Sequence, residues 1–297
     1  MAEIARVHRV STKIEMLHAV NLALTSRPVS EQILSDQISG FPMKCLYLLA
    51  ASLVLSSLSL SAANTPIGVT GWNRDVIVEA GATPPYSGAA APFDVPNNYG
   101  FYEAGLPGGT RGLPSSRTFT SLVDGTTVFQ FQPYTGNNAL QLSASTSSSG
   151  TLTFATPGIY SSISILAAAA NSGASSGNLV IHFADASVSP TLQFNNSDWF
   201  FQPNPAIQGF GRQDLGSTTP EDNGSSYPEL YPTTLNLAAL GLNIKPIVSI
   251  DFMDLASNPR ESTGIFALSG TLVPEPGSMA LVATGAALLT VLRRRKS

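Results

Sequence analysis

The sequence predicts an antiparallel β-sandwich, flanked by an N-terminal signal peptide and a single hydrophobic helix at the C-terminus. Three observations carry this reading. Between residues 64 and 272, short apolar runs alternate with period two, the pattern of strands with one buried face. Turn-rich segments at 156–158, 171–177, 222–224 and 257–259 separate those runs. No heptad, long amphipathic helix or internal repeat of roughly 20–50 residues competes with it. Many short strands at such spacing favour a sandwich over other β architectures.

The elements follow in order. Residues 76–78 read as a short strand. Residues 80–118, rich in Pro, Gly and Ala, are expected to form long loops at one end. Strands over 119–123 and 127–132 come next; in the latter Phe129 and Phe131 share one face and Gln130 and Gln132 the other. Residues 139–143 and 151–155 repeat that half-buried alternation. Residues 160–166 alternate Ser162 and Ser164 with Ile163 and Ile165. Residues 178–185 place Leu179, Ile181 and Phe183 together. Strands near 191–194, 235–237, 247–252 and 263–272 complete the set.

The C-terminus reads as an address rather than as part of a fold. Pro274-Glu275-Pro276-Gly277 forms a turn, an uncharged run from Gly277 to Leu292 follows, and Arg293, Arg294, Arg295 and Lys296 close it. As a helix the run is about 24 Å long, against roughly 30 Å of hydrocarbon. Snorkelling cations make up the difference and place that end in the cytoplasm. Pro274 and Pro276 keep the preceding stretch extended, a form that a protease cleft engages. This tail, residues 273–297, resembles the PEP-CTERM sorting signal of Gram-negative bacteria. The resemblance implies processing by an exosortase, anchorage in the inner membrane through the C-terminal helix before processing, and then release to the cell surface or extracellular matrix. It also implies an association with exopolysaccharide and biofilm.

The other end carries a secretory signal over residues 43–63. Lys44 is the positive n-region, 46–60 the apolar h-region, and cleavage is expected after Ala63, making Asn64 the mature N-terminus. Residues 1–42 are then a leader that is mis-assigned or disordered, with Met43 the true initiator. Cys45, the single cysteine, precedes the apolar run and leaves with the signal. The mature body therefore has no disulfide, thiol nucleophile or cysteine-ligated metal.

The body, residues 64–272, carries 14 acidic and six basic residues, a net charge of −8. Such a surface repels nucleic acid, which needs basic patches. One histidine, His182, leaves no His-rich metal site and only one partner for a nucleophile. The Gly-x-Ser-x-Gly string at 173–177 lies in a turn-rich segment ahead of an expected strand, not at the strand-to-helix elbow that presents a nucleophile. The chain is expected not to be an enzyme; a carbohydrate-active enzyme using paired carboxylates is the remote alternative.

Aromatic residues are the leading candidates for a ligand site, because sugar rings stack apolar C–H faces on them. Tyr99 and Tyr102 lie in the Pro/Gly-rich stretch beside Asn97 and Asn98, Tyr227 and Tyr231 flank Glu229, and Trp199 follows Asp198. For a structural calcium, which takes oxygen ligands, the candidates are Asp94 with Glu103, and Asp251 or Asp254. The order of the strand at Tyr160, the strand 178–185, Asp198-Trp199-Phe200-Phe201 and the closing strands 247–252 and 265–270 resembles the galactose-binding-like jelly roll of carbohydrate-binding modules. That resemblance implies an exported protein whose sandwich binds or packs with exopolysaccharide. The alternative is a structural or adhesive matrix protein with no ligand site.

Overall fold

The computed structural model describes residues 64–143, 147–171, 176–200, 202–222, 227–253 and 260–273. The signal peptide with Ala63, Phe201, Asp254 and the sorting tail from Pro274 onward lie outside the described residues. No helix among the described residues is long and apolar enough to cross a membrane.

Sixteen strands are present among the described residues: β1 (Thr65–Pro66), β2 (Val69–Thr70), β3 (Ile77–Val78), β4 (Tyr99–Tyr102), β5 (Thr118–Thr120), β6 (Val128–Gln130), β7 (Leu140–Ser143), β8 (Ser149–Gly158), β9 (Tyr160–Ala170), β10 (Ser176–Phe183), β11 (Leu192–Asn195), β12 (Ile207–Gln208), β13 (Gln213–Asp214), β14 (Glu229–Asn236), β15 (Ile247–Met253) and β16 (Ser262–Leu272). The first large sheet runs β1-β16-β9-β14-β12, with β7 beside the first half of β16. The second runs β11-β10-β15-β8-β2. Long strands switch between sheets as the chain advances, and every pairing in these two sheets is antiparallel. The expected sandwich is the observed architecture.

Between the sheets lies one apolar core. Ile163, Ile165 and Leu268 of the first sheet meet Leu152, Leu179, Ile181, Ile250 and Phe252 of the second. Strand β10 keeps the period-two pattern of its sequence, alternating buried and half-buried residues. Its neighbours Ser249 and Asp251 and its own His182 face outward.

Strands β9 and β16 depart from that alternation. Residues 163–170 and 262–270 are buried without interruption. The cause is a third layer on the far side of the first sheet. Val76, Ile77, Phe93, Phe101, Phe129, Phe131 and Trp199 pack there against Leu166, Ala168, Ala170 and Phe266. Small alanines on β9 let the rings approach closely; Phe93, Phe101, Trp199 and Phe266 form an edge-on cluster with centroids 5.1–5.6 Å apart. Residues 80–118 are thus not loops at one end, as expected from their Pro and Gly content. They hold two 3-10 turns (Tyr86–Gly88 and Val95–Asn97) and β4, and they cover a sheet face. Their apolar residues are spaced irregularly because they fill gaps over a sheet rather than line one.

The fold closes at Asn64. Its side-chain amide donates to Thr127 Oγ1 (3.0 Å) and Ser164 Oγ (3.1 Å). Its Oδ1 accepts from Ser162 (2.9 Å) and Thr271, and its carbonyl accepts from Val128 N. One residue therefore ties β6, β9 and β16 together at the predicted start of the mature chain. Asn64→Ala is expected to cost about 1–2 kcal/mol, because it removes four side-chain hydrogen bonds and leaves the half-buried Ser162 and Thr271 hydroxyls without this acceptor, read as a lowered melting temperature.

Asp75 gives a pH signature. Burial, opposed by the hydrogen bond from Asn138 (2.6 Å), raises its carboxyl to about 6. The folded state therefore holds the Asp75 proton more tightly than the unfolded chain. Stability from this group is present at acid pH and lost as pH rises from about 4 through 6. Asp75→Asn should raise stability by about 1 kcal/mol at pH 7, after discounting for solvent screening, and leave it unchanged near pH 4. Thermal melts at the two pH values test this.

Candidate functional site

The end of the sandwich where β9 finishes gathers most of the polar aromatic residues. Asp198 bridges to Ala169, and Trp199 N–H donates to Ala169 O at 2.7 Å, which pins the 198–200 segment there. Tyr99 opens β4, whose Tyr99–Gly100 pair with Asp214–Gln213 of β13. The 109–112 loop joins through Gly211 N–H, which donates to Arg111 O. Gly211 is required: a Cβ there would lie 2.1 Å from Asp222 Oδ1.

Asp222 organises the cluster. Its buried carboxylate accepts from the Tyr102 hydroxyl on one oxygen and from Thr110 N–H and Oγ1 on the other. Its carbonyl accepts from the Tyr227 hydroxyl at 2.8 Å. The Tyr102 hydroxyl also accepts from Arg111 N–H at 3.1 Å. Burial and the Asp222 carboxylate push the Tyr102 phenol well above its ordinary range, so it donates as a neutral group.

Two arginines lie over this frame. Arg212 stacks on the Tyr99 ring at 3.9 Å and near Phe200 at 5.4 Å, and its guanidinium pairs with Glu221 at 2.9 Å. Glu221 also accepts from the Tyr99 hydroxyl at 2.6 Å, which raises that phenol's pKa. Arg111, exposed, stacks on Tyr227 at 4.7 Å. Asn98 donates to Asp214 at 3.1 Å beside them.

The five aromatic candidates thus divide. Tyr99 and Tyr227 are half-buried and belong to the surface cluster. Tyr102, Trp199 and Tyr231 are buried, with no ring face toward solvent. Tyr102 serves Asp222, Trp199 fills the ring cluster over β9, and the Tyr231 hydroxyl bonds Glu229 and Gln202 N–H. Arg111, Arg212, Glu221 and Asp222 were not picked out from the sequence. Their signal lay in scarcity: two of only six basic residues of the body sit among glycines, in Gly108-Gly109-Thr110-Arg111-Gly112 and Gly209-Phe210-Gly211-Arg212.

The described calcium candidates, Asp94, Glu103 and Asp251, are placed apart. Asp94, buried, accepts from Asn97 (3.0 and 3.1 Å) and Asn171 (2.7 Å) and bridges to Tyr99 at one end of β4. Glu103 follows the other end and accepts from Ala80 N–H at 2.8 Å. Asp251 lies on the outer face of the second sheet, 2.7 Å from His182 Nε2 and 2.6 Å from Thr151 Oγ1. In that order the hydroxyl gives its proton toward the carboxylate and not to the imidazole. No group of three or more His, Cys, Asp or Glu residues among the described residues is placed to share a metal.

Residues 272–296 match the PEP-CTERM protein-sorting motif, which marks an exported protein. The comparison with curated proteins found no match. Among solved structures, a carbohydrate-binding module of family 29 is similar at 10% identity and a TM-score of 0.25, over 55% of this chain and 82% of that one. The catalytic domain of a GH87 alpha-1,3-glucanase in complex with tetrasaccharides aligns at 14% identity and 0.28, over 72% of this chain and 29% of that one. The Agl-KA catalytic domain aligns at 12% and 0.27, over 55% and 29%. Likeness at this level carries no argument about fold or ligand.

Asp222→Ala is expected to free Tyr102 and Thr110 together, leaving the Tyr227 bond to the main-chain carbonyl in place, and to cost about 2–4 kcal/mol, since a buried hydroxyl and an amide lose their acceptor. A lowered melting temperature with a more exposed tyrosine signal in near-ultraviolet spectra checks this.

Proposed function

We propose that this is an exported surface protein, held at the inner membrane by its sorting tail until an exosortase cuts near Pro274-Glu275-Pro276, and that its sandwich then binds a neutral polysaccharide of the surrounding matrix. The sorting half of this reading is supported by the motif match at 272–296. The binding half is carried by the cluster at the end of β9. There two partly exposed tyrosines stand among arginines, carboxylates and an amide, the groups that stack on sugar rings and hydrogen-bond their hydroxyls.

Charge favours a neutral ligand. Arg111 and Arg212 are outnumbered locally by Asp214, Glu221 and Asp222, and the body as a whole is at −8. A uronic acid polymer meets net repulsion here, whereas neutral hydroxyls find carboxylate acceptors.

A structural matrix role is the second reading. One face of Tyr99 and one of Tyr227 are already covered by an arginine, which suits a scaffold as well as a platform. Titration of the secreted protein with neutral and uronate-containing polysaccharides decides. Saturable binding that weakens about 3–10-fold in Tyr227→Ala or Tyr99→Ala, the worth of one aromatic contact, supports the binding reading. A folded protein that binds neither supports the scaffold. For the tail, Pro274→Ala with Pro276→Ala should leave the uncleaved chain in the membrane fraction; normal release would overturn the exosortase reading.

A further inference from the structure

The sandwich has two chemically different ends, and the chain enters and leaves through one of them. Leu272 pairs with Tyr160 at the start of β9, Val273 N–H donates to Ile159 O at 2.8 Å, and Thr271 bonds the side chain of Asn64. Three turns share this end. Ile247 pairs with both Gly158 and Phe183, which brings in the β8–β9 turn and the turn after β10. Ala238 N–H donates to Ser161 O, and Ala184 N–H to Pro246 O, which brings in the 237–246 loop.

Large apolar side chains are concentrated here. Of the seven that stand exposed among the described residues, four lie on these segments: Val188, Leu240, Ile244 (70% exposed) and Leu272 (53%). An isolated exposed leucine needs no explanation, but a gathering around one exit point does. The charge pattern is the second observation. Within 156–161, 183–190, 237–246 and 271–273 the charged residues are Asp185 and Lys245, which pair at 2.7 Å. These segments are therefore neutral in a body of net charge −8, the acid next to them being Asp124, reached from Asn64 through Thr127.

We propose that this end is a lipid-facing surface that rests on the outer face of the inner membrane while the sorting tail is embedded. The proposal builds on the reading that the apolar run from Gly277 to Leu292 enters that membrane. Val273 is still hydrogen-bonded to the fold, and only Pro274, Glu275 and Pro276 stand between it and the apolar run that begins at Gly277. A domain held that closely presents this end to the headgroups. Leu240, Ile244, Val188 and Leu272 then leave water, as apolar side chains do at an interface. Any acidic face would be repelled by anionic lipid within a Debye length, whereas this one is not. The Tyr99–Tyr227 cluster, near Ala169 at the far end of β9, then points outward, roughly 30 Å away at about 3.3 Å per residue.

Because the body lacks cysteine, the full chain with Cys45→Ser accepts single reporters. An environment-sensitive fluorophore on Ile244→Cys or Val188→Cys is compared with one on the exposed, distal Thr218→Cys. The protein is reconstituted in vesicles of phosphatidylethanolamine and phosphatidylglycerol. Blue-shifted emission and quenching by spin-labelled lipid at 244 and 188, and neither at 218, is the expected result. Vesicle flotation with solvent-like emission at all three sites would overturn the docking alone. Failure to float would overturn the anchoring reading and the docking with it. In the chain carrying Leu240→Glu and Ile244→Glu, exposed positions whose change spares the core, the reporter at 188 should lose its quenching while flotation persists. Quenching retained there would overturn the proposal.

Discussion

The pairing of β9 with β16 is the constraint on which the rest of the molecule depends. It runs the length of both strands, from Ser262 opposite Ala170 to Leu272 opposite Tyr160. Both strands are buried on both faces over most of that length, so they separate two apolar layers rather than close one. The residues chosen reflect this. Ala167, Ala168, Ala169 and Ala170 are small enough to admit large rings on one side while the sheet packs against Leu179 and Phe252 on the other. Loss of register there would turn every side chain to the wrong layer.

Position along β9 also decides what each loop can do. The segments that reach its last residues, 198–200, 210–212 and 227–229, bring arginine, carboxylate and tyrosine together through Asp222. The segments that reach its first residues bring exposed aliphatic groups and one neutral ion pair. Neither set is contiguous in sequence, yet each becomes contiguous because β9 is a ruler that the loops attach to at fixed heights.

The sandwich itself was legible in the sequence, because the strands facing solvent on one side keep strict alternation. Residues 178–183 declare their buried face directly, and residues 247–252 do so apart from the irregularity between Ile247 and Ser249. The third layer was legible only in part: its short strands near 76–78, 119–123 and 127–132 were expected, and Phe129 and Phe131 share a buried face. Strand β4 and the packing of 80–118 were not, because the apolar residues there follow no period and fit over a sheet already formed. Residues 139–143 show the cost: read as half-buried, they are covered throughout, since Gln141 turns inward to donate to Pro92 O, Phe93 O and Ser262 Oγ. The site was half legible for the same reason. Tyrosines in a Pro/Gly-rich stretch are conspicuous, but which of them keeps a face in water depends on a layer that the sequence does not announce. Tyr99 stays at the surface while Tyr102, three residues on, is sealed beneath the 109–112 loop.

Asn64 and Val273 join these arguments. The sequence reading expects the mature body to begin at Asn64, after a small-residue cleavage site, and to end before a Pro-Glu-Pro turn. The fold uses both boundary residues as structure: Asn64 bonds four side chains, and Val273 makes the last backbone hydrogen bond of the sheet. The first and last of the described residues thus meet at one end of the sandwich, where Asn64 bonds Thr271 and Val273 bonds Ile159. The two ends of that body differ chemically: the one where Asn64 and Val273 meet carries exposed aliphatic groups and one ion pair, the other arginine, carboxylate and tyrosine.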